Sequence, residues 1–196
     1  MKNDLYVVIM AGGKGERFWP LSTPENPKPF LNFFSERSLL QQTYDRAKKL
    51  VPAKQIFLIV GEKHGKLSKQ QLPELPASHL LLEPTGRDTS AAIGYASLHL
   101  PDDALMLVMP ADHLIPEPAD FVNTVNSAAE MIADHGGPAT FGIHPTRPES
   151  NYGYIKATDI NLGRDGSNAR FGKASRISVS RRLGCTALRV VFDVDP

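Results

Sequence analysis

Cysteine is almost missing from this chain. Cys185 stands alone among 196 residues, which excludes an internal disulfide and leaves no thiolate cluster for a zinc or iron–sulfur site. Tryptophan is as scarce, with Trp19 the single example. No apolar run approaches the ~20 residues a membrane-spanning helix needs. The first residues also lack the apolar core and small-residue cleavage site of a secretory leader, so the expected setting is cytoplasmic. Neither sign of charge dominates: 22 Lys and Arg against 21 Asp and Glu leave a formal net charge of +1. That is too little to draw the chain to nucleic acid or to an acidic membrane as a bulk partner. The remainder is ordinary globular composition, 41% hydrophobic and 22% charged, in a length sufficient for one domain with a sizeable core. Oligomeric state is left open, and a homo-oligomer is compatible with all of this.

The informative stretch runs from Ile9 to Phe30. The short, unbroken, β-branched run Leu5–Met10 reads as a buried strand. Gly12, Gly13 and Gly15 then remove side chains where that strand ends, so backbone N–H groups can approach an anion closely. Lys14, Arg17 and Lys28 supply cations, and Pro20, Pro24, Pro27 and Pro29 stiffen the return path. Three glycines alone would also suit a tight turn with solvated charges; with the strand and converging cations they predict a phosphate site. A P-loop is excluded because no Gly-Lys pair precedes Ser or Thr at the required spacing. A dinucleotide fingerprint is excluded because Phe18 occupies the position of its third small residue.

Further along, Ser38 and Gln41 have capping-box spacing ahead of a helix carrying Leu39, Leu40, Thr43, Tyr44 and Ala47. Gln55–Val60 reads as a second strand, followed by a weakly patterned helix through Gln70. His79–Leu82 is a third strand, and Asp88-Thr89 is expected to cap a helix of small residues. Ala104–Met109 is a fourth strand. Pro118 opens a helix that Gly136-Gly137 stop, and Ala139–Ile143 is a fifth strand. Strands alternating with helices predict an α/β domain with a mostly parallel sheet and helices on both faces. Ligands in such sheets bind beyond the C-terminal strand ends.

Motifs stand at those ends. Glu83-Pro84-Thr85-Gly86-Arg87-Asp88-Thr89 follows the third strand, and by itself would pass for a capped helix. Asp112 follows the fourth, where a carboxylate suits Mg²⁺, the alternative being a helix cap or a solvated loop. His113 is expected to pack or to lie behind the metal, since Mg²⁺ has little use for imidazole.

The segment GGKGERFWPLSTPENPKPFL resembles the signature of the sugar-1-phosphate nucleotidyltransferases, in a form closest to the mannose-1-phosphate guanylyltransferases. The resemblance implies a Rossmann-like, glycosyltransferase-A-like domain that transfers GMP from GTP to α-D-mannose 1-phosphate, giving GDP-mannose and pyrophosphate. It implies that Gly12, Gly13 and Gly15 wrap the nucleotide, that Arg17 holds the departing phosphates, and that Lys28 neutralises the α-phosphate. The Glu83 segment is similar to the motif facing the base, and a carboxylate can accept the N1–H and 2-amino donors of guanine. The resemblance makes Asp112 the ligand of the catalytic Mg²⁺. Residues 145–155, PTRPESNYGYI, look like the sugar-binding stretch, with Asn151 and Gly153 against the sugar.

The match is continuous from Met1 to about Lys156, which bounds a nucleotide- and sugar-phosphate-binding domain at residues 1–160. The family's Glu-Lys-Pro and Trp-Asn segments and its distal metal-binding Asp do not follow, so the resembling domain is C-terminally incomplete. Residues 161–196 instead carry six of the eleven arginines and Cys185 with little periodicity. That composition shift points to a frameshifted or poorly ordered tail, in which Lys173 is the nearest stand-in for the sugar-phosphate lysine. The alternative reading is a non-catalytic nucleotide-binding remnant or regulatory subunit, or a nucleotidyltransferase for another sugar 1-phosphate.

Overall fold

The computed structural model describes residues 4–13, 18–115, 117–135, 137–142, 161–162, 170–171 and 186–190. The sheet is formed by β1 (Leu5–Met10), β2 (Ile56–Gly61), β3 (Leu80–Glu83), β4 (Leu105–Pro110), β5 (Ala139–Phe141) and β8 (Thr186–Val190) in the order β3-β2-β1-β4-β8-β5. Every pairing in it is parallel. Two short strands, β6 (Asn161–Leu162) and β7 (Arg170–Phe171), pair antiparallel as a separate ribbon. The helices are α1 (Leu39–Ala47), α2 (Gly65–Gln71), α3 (Asp88–Ser97) and α4 (Pro118–His135).

Alternation along the strands divides the core into two layers. Val7 and Ile9 of β1, with Leu58 and Leu107, face Leu40, Tyr44 and Ala47 of α1 and Phe121, Val125, Ala128 and Ile132 of α4. Those helical positions recur every three or four residues, which keeps one stripe on the sheet. Val8, Ile59, Met106 and Val108 point the other way, onto Ala92 and Ala96 of α3. The expected parallel sheet with helices on both faces is therefore what the chain adopts. Among the described residues, no helix is long and apolar enough to cross a membrane.

One expectation needs correction. Asp88 does not cap α3: Arg87 holds the N-cap position without a side-chain cap bond, and Asp88 has φ 67°. Aspartate tolerates that left-handed conformation better than most residues because its short side chain can bond locally. The tail also contributes to the sheet. Its residues 186–190 form β8, inserted between β4 and β5. Leu188 pairs with Leu107 on one side and Ala139 on the other, and Arg189 likewise with Val108 and Thr140. A strand paired on both edges leaves no open ladder there.

Candidate functional site

Because β3, β2, β1 and β4 run parallel, their C-terminal ends share one edge, and register decides which residues meet. Gly61 lies beside Glu83, and Met10 lies between Ile59 and Pro110. The ladder continues one residue further, with Ala11 N–H donating to Ile59 O and Ala111 N–H to Met10 O, each at 2.9 Å. Past these bonds the chain leaves the sheet and opens a cleft of about 1200 Å³. Gly12 and Gly13 line it from β1, Lys63 and His64 from β2, Glu83, Gly86 and Arg87 from β3, and Asp112 and His113 from β4.

The floor is bare backbone. A Cβ added at Gly12 or Gly13 would meet nothing within 4 Å, so the space beside both is the cleft itself. Gly13 also has φ 104°, where any other residue would be strained.

The β4 side carries paired charge. Lys28 Nζ lies 3.4 Å from Asp112 Oδ2, with the side chains 21% and 38% exposed, and 4.5 Å above the Phe18 ring. His113 Nε2 is 3.8 Å from the other Asp112 oxygen. Lys28 opens a 3-10 turn whose Pro29 and Phe30 are buried. That turn is pinned where Gln71 Nε2 donates to Phe30 O at 3.0 Å. Gln71 is itself held by Ser38 Oγ at 2.6 Å and by Gln41 Nε2 on its carbonyl at 2.9 Å. Ser38 and Gln41 also form the expected capping box.

Asp112 is braced from beneath by the other end of α1. Arg46 Nη2 donates to Thr43 Oγ1 at 2.7 Å and to His113 O at 2.9 Å, and Thr43 Oγ1 donates to Ala111 O at 3.4 Å. Arg46 is only 5% exposed. Burial lowers its pKa to about 10 against the opposing field of Asp45, so it remains cationic at neutral pH.

Glu83, on the opposite side, has no cation paired with it among the described residues. Desolvation raises its pKa above the ordinary 4.5. A carboxylate so placed could accept donors from a ligand without first surrendering a partner among the described residues.

Five sequence-derived candidates therefore converge: Gly12, Gly13, Glu83 and Asp112 line one cleft, and Lys28 reaches it through Asp112. Gly15, Arg17, Asn151, Gly153 and Lys173 lie outside the described residues. Sequence reasoning missed His64, whose Nε2 is 2.8 Å from Pro24 O, and Trp19, 77% exposed on the cleft rim. His64 was findable, since it follows the end of β2 at the same sheet edge. Arg46 gave no signal beyond a position near a helix end.

Among the described residues, no group of three or more His, Cys, Asp or Glu side chains is assembled for a metal. A divalent cation at Asp112 would have one protein carboxylate, its other positions filled by water and phosphate oxygens. Mg²⁺ is commonly held in that way, so the donor set fits it.

The sequence profile of the Nucleotidyl transferase family matches residues 6–170. The chain belongs to that family. Among its relatives, the xanthan biosynthesis protein XanB of Xanthomonas campestris pv. campestris is 42% identical over 160 residues, covering 79% of this chain and 34% of that protein. A mannose-1-phosphate guanylyltransferase of Escherichia coli is 43% identical over 157 residues, covering 78% of this chain and 33% of the relative. A solved structure from Thermus thermophilus, described as a mannose-1-phosphate geranyltransferase, superposes with TM-score 0.71 at 37% identity. That superposition covers 82% of this nucleotidyl transferase chain and 47% of the other. The chain thus spans about a third of the length of the curated relatives it matches.

Proposed function

We propose that this nucleotidyl transferase chain acts as a mannose-1-phosphate guanylyltransferase, passing GMP from GTP to α-D-mannose 1-phosphate to give GDP-mannose and pyrophosphate. The observation that carries the reading is the placing of Glu83, a carboxylate with no paired cation among the described residues, and a Lys28–Asp112 pair at opposite ends of one glycine-floored cleft. The strands bearing Glu83 and Asp112 are separated by β2 and β1. Three inter-strand steps amount to roughly 14 Å, the scale on which a nucleotide extends from base edge to phosphates. The similarity to a mannose-1-phosphate guanylyltransferase supports the choice of base and sugar.

In this reading Glu83 accepts the N1–H and 2-amino donors of guanine, which adenine and uracil do not present together. Gly12, Gly13 and Gly15 let the backbone follow the triphosphate, and Arg17 holds the β- and γ-phosphates. Lys28 neutralises the α-phosphate as an oxygen of the sugar phosphate attacks its phosphorus. The bond to the β-phosphate oxygen breaks, and pyrophosphate leaves. Asp112 would hold a Mg²⁺ ion, which when bound offsets phosphate charge. Asn151 and Gly153 would contact the mannose. No covalent enzyme intermediate is needed, because the sugar phosphate is already a nucleophile. Positioning and charge neutralisation supply most of the catalysis of such transfers. The reaction would take place in the cytoplasm, with neither nucleic acid nor membrane as partner.

The test is pyrophosphate release by the purified chain with Mg²⁺, comparing GTP with ATP and UTP, and mannose 1-phosphate with other sugar 1-phosphates. Release that requires GTP and mannose 1-phosphate together is the expected result. Preference for another nucleotide, or GTP binding with no transfer to any sugar phosphate, would overturn the reading.

A further inference from the structure

Helix α1 is tied to the segments that carry both halves of the charged pair. Its N-terminal cap, through Gln71, holds the turn that carries Lys28. Its last turn, through Thr43 and Arg46, holds the loop that carries Asp112. The second contact is the unusual one. Arg46 is a guanidinium almost wholly inside the core, and among the described residues no carboxylate lies within ion-pair distance of it. Neighbouring Asp45 is engaged instead by Arg37 at 2.7 Å and by Lys48 at 3.3 Å. Arg46 Nε is buried without a hydrogen-bond partner among the described residues. A buried charge with no ion-pair partner among the described residues and an idle donor is a stability cost, and an apolar side chain of similar volume often serves the fold as well or better.

What Arg46 does accomplish is local. One nitrogen, Nη2, bridges the Thr43 hydroxyl and the His113 carbonyl, while that hydroxyl bonds the Ala111 carbonyl. Asp112 lies between the two carbonyls so held. We propose that Arg46, acting through Thr43, is a positioning residue that fixes the Asp112 carboxylate for a divalent cation. The proposal rests on the reading of Asp112 as the metal-holding residue. Arg46 touches neither substrate nor metal; it fixes the backbone on both sides of the residue that does. Lysine would keep the charge, but its ammonium ends one bond short of the Nη2 position that reaches both acceptors, so the two residues are not interchangeable there.

The experiment uses the full chain with GTP, titrated with Mn²⁺ in place of Mg²⁺ and followed by the electron paramagnetic resonance signal of free Mn²⁺. Melting temperatures are read in parallel. Arg46→Met should raise the Mn²⁺ dissociation constant about tenfold, the low end of what loss of a supporting hydrogen bond does to metal sites. Its melting temperature should stay level or rise. Thr43→Val should shift the constant in the same direction by less, and Arg46→Lys should fall between wild type and Arg46→Met. Leu58→Ala, a buried β2 substitution away from the loop, should lower the melting temperature and leave Mn²⁺ affinity unchanged. Asp112→Asn should abolish tight Mn²⁺ binding. If Asp112→Asn weakens Mn²⁺ while Arg46→Met does not, the positioning role is overturned and the reading of Asp112 stands. If Asp112→Asn leaves Mn²⁺ affinity intact, both fall. A shift in Leu58→Ala equal to that in Arg46→Met would overturn the role by tracing the effect to general loosening.

Discussion

On the β4 side of the cleft, charge is paired and braced: Lys28 meets Asp112, and each sits on a backbone tied to α1. On the β3 side, Glu83 has no paired cation among the described residues, and partial burial alone raises its pKa. Under the proposed function, the difference separates two tasks. Chemistry at phosphorus needs charges held at fixed distance before the ligand arrives, because reorganisation during reaction is costly. Recognition of a base needs an acceptor whose partner is the ligand, so that a wrong base leaves it unsatisfied.

The largest expected effect comes from breaking the braced side. Lys28→Ala and Asp112→Asn should each lower turnover by about 10²–10³, the usual cost of one preorganised charge or donor at a reacting centre, and Arg17→Ala, which the proposed function puts on the departing phosphates, should do the same. Melting temperature should hardly move for the first two, since a partly exposed ion pair contributes only ~0.2–1 kcal/mol. Steady-state kinetics beside thermal unfolding checks this, and a large melting shift would make the pair structural.

The floor shared by both sides distinguishes its two glycines. Gly13→Ala should cost about 1–2 kcal/mol in stability, because φ 104° strains any side chain. Gly12→Ala should leave denaturant unfolding unchanged, since its Cβ would project into open cleft, yet weaken nucleotide binding.

A smaller effect sharpens the β3 side through pH. Protonation of Glu83 removes an acceptor for the guanine donors. GTP affinity should therefore fall as pH drops through a value above 4.5, and Glu83→Gln should lack that fall. Stability runs with the opposite sign. A carboxyl with a raised folded pKa contributes stability that is fully present below 4.5 and is lost as pH rises through the folded value. Glu83→Gln should thus melt no lower than wild type at neutral pH.

How much of this was legible follows from where the information lies. Leu5–Met10 announces a buried strand by its own apolar run, and Ser38 with Gln41 announces a helix start by spacing; both are local signals. The positions of Glu83 and Asp112 at one sheet edge were legible because Glu83 ends β3 and Asp112 follows β4, and parallel strands deliver their ends to one edge. Asp88 misled because a capping residue type at a helix start does not fix its backbone, which here turns left-handed. Strand β8 was missed although Thr186, Ala187, Leu188 and Val190 suit a buried strand. Its place between β4 and β5 depends on pairing with residues far away in sequence. Arg46 is the clearest illegible case: its helical position says nothing of the Ala111–His113 loop it supports.

The most direct test of the divided cleft is calorimetric titration of GTP and ATP into wild type and Glu83→Gln. Losing one charged hydrogen-bond acceptor should weaken GTP by ~1.5–3 kcal/mol, about 10- to 150-fold, and leave ATP almost unchanged. Equal weakening of both nucleotides would contradict base reading by Glu83, and with it the assignment of recognition to the β3 side.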